Sequence, residues 1–144
     1  MNPSSPRRKS GFTLIEVLLV LVILVVLASL AVVAYGPIQR RAKLNQAKAQ
    51  IGLFKTAVGL YENGVGSYPS TASGLQALRS RPADIADPSK WDGPYLDSDV
   101  PLDPWDKPYQ YACPGNHNPD SFDVWTVTPP PDNQEIGNWK EAGK

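Results

Sequence analysis

Cysteine and histidine are almost absent from this sequence, since its 144 residues include only one of each. A single cysteine cannot form a disulfide within the chain, and one cysteine with one histidine cannot supply an ordinary zinc site. A net charge is also lacking, because 14 basic residues balance 14 acidic residues. This balance argues against a nucleic-acid-binding protein, which needs a wide basic surface. The length corresponds to one domain of the usual size, about 150 residues.

Proline and glycine, in contrast, are abundant, with 15 and 11 residues. Their combined share exceeds the average of about 12%. Such a composition predicts a globular part rich in turns and argues against a purely helical protein.

One uninterrupted apolar run lies near the start of the chain. Val17 to Ala34 comprises 18 residues without a charge. As a helix the run would cover roughly 27 Å, close to the bilayer's hydrocarbon core of about 30 Å. It therefore predicts a helix that crosses a membrane once. Three alternatives stay open: a secretory signal cleaved near Ala28 to Ala31, a buried core helix, and a twin-arginine signal at Arg7 and Arg8.

Basic residues lie on both sides of the run, so charge alone does not orient the helix. They are Arg7, Arg8, Lys9, Arg40, Arg41 and Lys43. The orientation follows instead from the junction Ser10-Gly11-Phe12-Thr13-Leu14-Ile15-Glu16-Val17. This junction resembles the leader junction of the type IV prepilin and pseudopilin superfamily. The resemblance implies that a membrane prepilin peptidase recognises the basic leader Arg7, Arg8 and Lys9, cuts on the cytoplasmic side between Gly11 and Phe12, and methylates the new amino terminus.

The junction divides the chain into three parts. The resemblance implies that residues 1–11 are a cleaved leader, residues 12–36 a hydrophobic transmembrane and polymerisation helix, and residues 37–144 an amphipathic helix with a globular periplasmic head. Loss of the leader removes three positive side chains, which leaves 11 basic against 14 acidic residues.

Glu16 is a carboxylate one turn into an apolar helix, where a charge costs about 2.5–3.5 kcal/mol at the bilayer centre. The resemblance implies a partner: in a packed filament, Glu16 of one subunit neutralises the amino terminus at Phe12 of its neighbour. Two such charges about 4 Å apart attract by about 4 kcal/mol at an effective dielectric constant of 20, before desolvation is counted. The alternative is a carboxylate in the headgroup region, stabilised by the helix dipole.

The apolar helix departs from the superfamily at two positions. Many members have glycine and proline where this chain has Val25 and Val33. The nearest helix-breaking pair is Gly36-Pro37, so we expect any kink or melted stretch there.

Hydrophobic spacing predicts an α+β fold, and the resemblance implies that this fold is pilin-like. Apolar residues recur every three or four positions at Ala47, Ile51, Phe54, Val58 and Tyr61, as in an amphipathic helix that continues the apolar one. The breakers Gly64 to Ser67 end this helix, and a short helix is expected at 73–78. Strands are predicted from Pro108 and across Ser121 to Val127, in an antiparallel sheet of about three strands packed on the long helix. In the second strand, apolar positions alternate with outward ones: Phe122, Val124 and Thr126 alternate against Asp123, Trp125 and Val127.

Several short motifs in the head narrow the resemblance from the superfamily to one of its branches. They are Tyr68-Pro69, Gly74-Leu75-Gln76-Ala77-Leu78, Trp91-Asp92-Gly93-Pro94-Tyr95, Asp103-Pro104-Trp105, Pro108-Tyr109-Gln110-Tyr111, Pro114-Gly115 and Ile136-Gly137-Asn138-Trp139. Together they resemble the major pseudopilins of type II secretion, the general secretion pathway protein G family. The resemblance implies a non-enzymatic, single-pass inner-membrane subunit with a periplasmic head. Such subunits polymerise through their amino-terminal helix into a pseudopilus that drives export of folded proteins across the outer membrane.

The implied partners are copies of the same chain, the prepilin peptidase, minor pseudopilins, the inner-membrane assembly platform and the membrane itself, without nucleic acid. A type IV pilin subunit for adhesion, DNA uptake or motility is the alternative, although such heads are often closed by a disulfide that one cysteine cannot form. A membrane-tethered periplasmic domain that never polymerises is a third class.

No cofactor is required by these assignments. The resemblance implies a structural calcium between the last strand and Ile136, with Asp132 and Glu135 as candidate ligands. The segment Thr128 to Glu135 is short and contains three prolines, whereas calcium takes six to eight oxygens. Prolines that pre-order the loop are therefore an alternative to the ion.

Catalysis is not expected. His117, Asp120 and Ser121 include the residue types of a hydrolase triad, but close sequence neighbours rarely converge on one reacting atom. They also lack a nucleophile elbow.

Overall fold

A computed structural model describes residues 11–140, except for the side chains of residues 30–35. The predicted leader residues Arg7, Arg8 and Lys9 therefore lie outside the described residues, as do the side chains at the end of the predicted apolar run. The chain divides into two compact units, Met1–Arg40 and Arg41–Lys144. In the part of the chain that the structure describes, no helix is both long enough and apolar enough to cross a membrane.

One helix, α1, extends over Leu14–Val65 and comprises 52 residues. It passes through Gly36 and Pro37 without losing helical structure, so the stretch expected to kink or melt is helical in this single chain. The helix ends at Val65, and the next residue, Gly66, has a φ of 91°, in the left-handed region that glycine adopts easily. The Gly66 N–H donates to the carbonyl of Glu62 at 2.7 Å, which satisfies one of the last carbonyls of the helix.

The head adds a small antiparallel sheet to this helix, as predicted. Its strands are β1 (Gln110–Ala112), β2 (Asp123–Val127) and β3 (Glu135–Gly137), in the order β1-β2-β3. Two 3₁₀ helices, Gly74–Leu78 and Pro88–Lys90, precede the sheet, and the first of them is the predicted short helix.

The core forms between α1 and the sheet. All five residues of the predicted stripe are buried, namely Ala47, Ile51, Phe54, Val58 and Tyr61. They pack with buried side chains of the sheet and the first 3₁₀ helix, including Val124, Ile136 and Leu78. The Phe54 ring meets the Tyr109 ring edge to face at 5.0 Å between centroids. Each buried large apolar side chain contributes about 1.5–3 kcal/mol relative to exposure.

The alternation predicted for β2 is right except at its first residue. Val124 and Thr126 are buried, whereas Trp125 and Val127 are only half-buried. Asp123 was expected on the outer face with Trp125, but it is buried as well. The reason is local, because the preceding loop folds over its carboxylate and supplies hydrogen bonds.

Candidate functional site

The predicted cleavage junction lies immediately before α1. Gly11, Phe12 and Thr13 are exposed and have neither helical nor strand structure. Phe12, the residue that the resemblance makes the new amino terminus, is 83% exposed. A peptide bond in such a segment is accessible to a peptidase without unfolding the helix.

Glu16 forms a capping box with Thr13. The backbone N–H and the hydroxyl of Thr13 donate to Oε2 of Glu16 at 2.8 and 3.0 Å. In return, the Glu16 N–H donates to the Thr13 hydroxyl oxygen at 3.3 Å. This reciprocal arrangement satisfies donors that a helix start leaves unpaired. Sequence reasoning missed it, although the signature Thr-x-x-Glu before an apolar run is the signal that finds it.

A column of apolar side chains surrounds Glu16 and continues along α1. From Phe12 to Leu27, every large hydrophobic residue is between 47% and 90% exposed. Soluble monomers rarely expose apolar patches beyond a few hundred Å². This surface therefore requires either lipid or the corresponding surfaces of other helices.

The connection between β2 and β3 contains the candidate calcium ligands. The Thr128 N–H donates to the Gln134 carbonyl at 2.9 Å, and the Gln134 N–H donates to the Thr128 hydroxyl oxygen at 2.8 Å. These two bonds close the loop with groups of its own. Asp132 and Glu135 are both exposed. Among the described residues, no three acidic, histidine or cysteine side chains are grouped to hold a metal, so a calcium shell of six to eight oxygens would need ligands beyond these two carboxylates.

A second polar cluster forms around the buried carboxylate of Asp123. It accepts hydrogen bonds from the backbone N–H groups of His117 and Asn118 at 2.7 and 3.2 Å, and from the Asn118 side-chain amide at 2.7 Å. Burial raises the pKa of this carboxyl, but the donors outweigh burial, so the pKa lies below its ordinary value. Asp123 therefore stays ionised and fastens the loop to the sheet.

His117 connects this cluster to the end of the described chain. Its ring stacks on Trp139 with centroids 3.7 Å apart and planes 10° apart, and its Nδ1 lies 3.3 Å from Asp123. Ser121, another residue of the dismissed triad, donates its N–H to the carbonyl of Asn118 in a turn. These contacts give both residues a role in holding the loop.

Asn138 fixes the other side of β2. Its backbone N–H donates to the Val124 carbonyl, and its side-chain oxygen accepts from the Val124 N–H at 3.0 Å. Its side-chain amide donates to the Phe122 carbonyl at 2.9 Å. The Ile-Gly-Asn-Trp motif thus continues the hydrogen bonding to β2 beyond the end of β3.

Comparison with known proteins decides the family. Residues 35–142 match the model for type II secretion system (T2SS), protein G. The chain belongs to this family. Residues 6–32 also match the prokaryotic N-terminal methylation motif, which covers the Gly11-Phe12 junction and the apolar column.

Relatives of the protein G family cover nearly the whole chain. A type II secretion system core protein G from Pseudomonas aeruginosa is 38% identical, with 92% of this chain and 96% of that protein covered. A core protein G from Aeromonas hydrophila is 37% identical, with 92% and 94% covered. The crystal structure of the major pseudopilin from the type 2 secretion system of enterohaemorrhagic Escherichia coli is also similar, at 28% identity with a TM-score of 0.60, over 73% of this chain and 93% of that one.

These similarities confirm the expected protein G family and the pilin-like fold, and they favour the pseudopilin interpretation over the type IV pilin alternative. The methylation motif ends at residue 32 and the T2SS protein G region begins at residue 35, and α1 extends across both.

Proposed function

We propose that this chain is the major structural subunit of a type II secretion pseudopilus. A prepilin peptidase removes residues 1–11, the helix 12–36 is held in the inner membrane, and the head 37–144 lies in the periplasm. The mature chain then polymerises, in contact with minor pseudopilins and the inner-membrane assembly platform. Growth of the filament drives the export of folded proteins across the outer membrane.

The observation that carries this proposal is the exposed apolar column next to the cleavage junction. Every large hydrophobic side chain from Phe12 to Leu27 is at least 47% exposed in the single chain. An apolar helix leaves lipid only when other apolar surfaces replace the lipid around it. Identical helices supply such surfaces in a filament, and family membership makes that filament a pseudopilus.

A complementation experiment tests this function. In a strain that lacks the gene, the unaltered chain should restore secretion, and mass spectrometry should find a mature protein that begins with methylated Phe12. Gly11→Glu should leave the leader attached and abolish both filaments and secretion. Ser10→Ala is the matched control, because it changes the neighbouring residue and keeps Gly11. Normal secretion by Gly11→Glu, or a processed chain that never forms filaments, would contradict the proposal.

The proposal gives Glu16 a second role after cleavage. All the hydrogen bonds that Glu16 accepts from Thr13 use Oε2, so Oε1 is oriented by the capping box and can accept from another donor. The methylated amino group of Phe12 in a neighbouring subunit is a cation of the right charge. Pairing the two removes an uncompensated carboxylate from an apolar environment and sets the axial position of the subunits.

Two variants separate capping from pairing. Glu16→Gln keeps an acceptor for Thr13, since glutamine also forms capping boxes, but it removes the charge. We expect normal insertion and at least about tenfold fewer filaments, because truncating one member of a buried charge pair costs about 2–5 kcal/mol. Thr13→Ala removes the cap at a cost of about 1 kcal/mol and keeps the charge, so filaments should persist. Equal assembly of Glu16→Gln and the unaltered chain would refute the pairing.

A further inference from the structure

A groove on the head lies between α1 and the segment 95–101. Its volume is about 320 Å³. The helix side of the groove presents Leu53 and Leu60, which are 60% and 53% exposed. The loop side presents Asp97 and Asp99. The groove is therefore an apolar surface with an acidic rim.

The acidic rim is available to a partner. Asp97 is exposed. Asp99 lies 3.3 Å from the guanidinium of Arg79, but its side chain is 94% exposed, so this pair is solvated and worth little. A second cation can approach either carboxylate without breaking a buried contact.

A basic stripe runs along another face of the same helix. Arg41, Lys48 and Lys55 recur every seven residues and are all exposed. Leu53 and Leu60 are also seven residues apart and therefore share a face. At 3.6 residues per turn, the stripe and the leucine face are separated by about 130° around the helix axis. The buried stripe of the core occupies the remaining side, so two complementary surfaces flank it.

We infer that the groove binds a second copy of this chain through the basic stripe of that copy's α1. This inference rests on the proposed function, because it names a contact within the proposed filament. The methylene stems of lysine cover exposed leucines while their ammonium groups reach Asp97 and Asp99. Charge complementarity thus selects the partner and fixes its orientation.

The geometry of this contact also explains why it would repeat. The groove and the stripe are different surfaces of one molecule, so each copy uses its groove for one neighbour and its stripe for another. Such a heterologous contact does not pair two copies symmetrically and propagates into a ring or an open filament. It therefore complements the apolar column, whose single carboxylate, Glu16, is assigned to axial position and not to the rotation between heads.

A charge exchange in the full-length chain, expressed with its secretion system, tests the contact. Asp97→Lys and Lys55→Glu should each reduce sedimented filaments about tenfold, because each places like charges opposite one another. The double variant restores opposite charges and should return filaments to within about twofold of the unaltered chain. Asp120→Lys makes the same charge change on the exposed surface outside the groove and should have no effect. The inference is overturned if the single variants assemble normally or the double variant is no better than the worse single one.

Cross-linking gives a second measurement that does not depend on the charge variants folding. In a Cys113→Ala background, Leu60→Cys combined with Lys55→Cys should give an oxidation-dependent ladder of cross-linked copies. Neither single cysteine should give a ladder beyond dimers. Abundant filaments without the ladder, or a cross-link to a different protein instead, would overturn the inference. If the unaltered chain forms no filaments at all, the proposed function fails; if it forms filaments that ignore the charge exchange, only this contact fails.

Discussion

Asp123 is the first residue of the central strand β2. A carboxylate at the start of a strand ordinarily lies in solvent, but this one connects three segments of the head. It is 1% exposed. Its hydrogen bonds fasten residues 117 and 118 to β2, and the stacking of His117 on Trp139 extends this connection to the last described turn. A buried carboxylate with several donors is strongly stabilising only while all of its bonds are made.

Asp123→Asn should therefore lower the stability of the head at neutral pH by about 1–3 kcal/mol, since the new amide group faces backbone donors. Because the folded pKa of Asp123 is depressed, its stabilising effect is present above the unfolded pKa of about 3.9 and is lost as pH falls through the lower folded value. The difference between the two proteins should shrink toward pH 3. Thermal melts followed by tryptophan fluorescence measure it, because all four tryptophans lie in the head.

The matched control is Asp120→Asn, which makes the same chemical change at an exposed position three residues away. It should leave the melting temperature nearly unchanged at every pH. A stability difference for Asp123→Asn that stays constant from pH 7 to pH 3 would show that its carboxylate charge does not hold the loop.

At the scale of elements, the end of α1 depends on backbone conformation more than on contacts. A Cβ added to Gly66 meets open space among the described atoms, but its φ of 91° is strained for any other residue. Gly66→Ala should therefore cost about 1 kcal/mol. Gly52 also has open space but lies inside the helix, so Gly52→Ala should gain about 0.5–1 kcal/mol. Opposite shifts in melting temperature check this pair, and shifts of the same sign would contradict it.

The β2–β3 connection should hold its shape without calcium. The bonds between Thr128 and Gln134 close it, and three prolines limit its unfolded conformations. We therefore expect the melting temperature to change by less than about 1 °C when a chelator replaces millimolar calcium. The double variant Asp132→Asn and Glu135→Gln should behave the same way with and without the ion. A rise of several degrees on adding calcium, abolished in the double variant, would show that these carboxylates bind it.

Periodicity predicted most elements because it reports which face of a helix or strand is buried. The stripe from Ala47 to Tyr61 and the alternation from Val124 to Val127 follow directly from that rule. The burial of Asp123 could not be predicted in this way, because it depends on how the loop at residues 117 and 118 folds over the strand, and a loop has no periodic pattern. The groove beside Leu53 could not be predicted either, because its second wall comes from residues 95–101 and only tertiary packing brings them next to the helix. The Thr13–Glu16 cap was readable from spacing and was missed.

At the scale of the whole molecule, the chain has an apolar surface and charged surfaces, and we assign a different role in association to each. The amino-terminal unit exposes an apolar column with one carboxylate, whereas the head exposes separate acidic and basic surfaces. Apolar contacts supply most of the free energy of association, and charged contacts set specificity and orientation. In the proposed filament, the apolar helices therefore supply the attraction and the head surfaces set the orientation of each subunit.

These separate roles of the apolar column and the charged head surfaces predict how filaments respond to detergent and to salt. Detergent above its critical micelle concentration should dissolve them into single chains, because micelles replace the neighbouring helices around Phe12 to Leu27. Salt at 1 M reduces the Debye length to about 3 Å and screens exposed charge pairs. It should therefore loosen the contact between heads, seen as a loss of the Leu60→Cys and Lys55→Cys cross-link, while the filaments still sediment. Complete dissolution by salt alone would mean that charge, and not the apolar column, holds the subunits together.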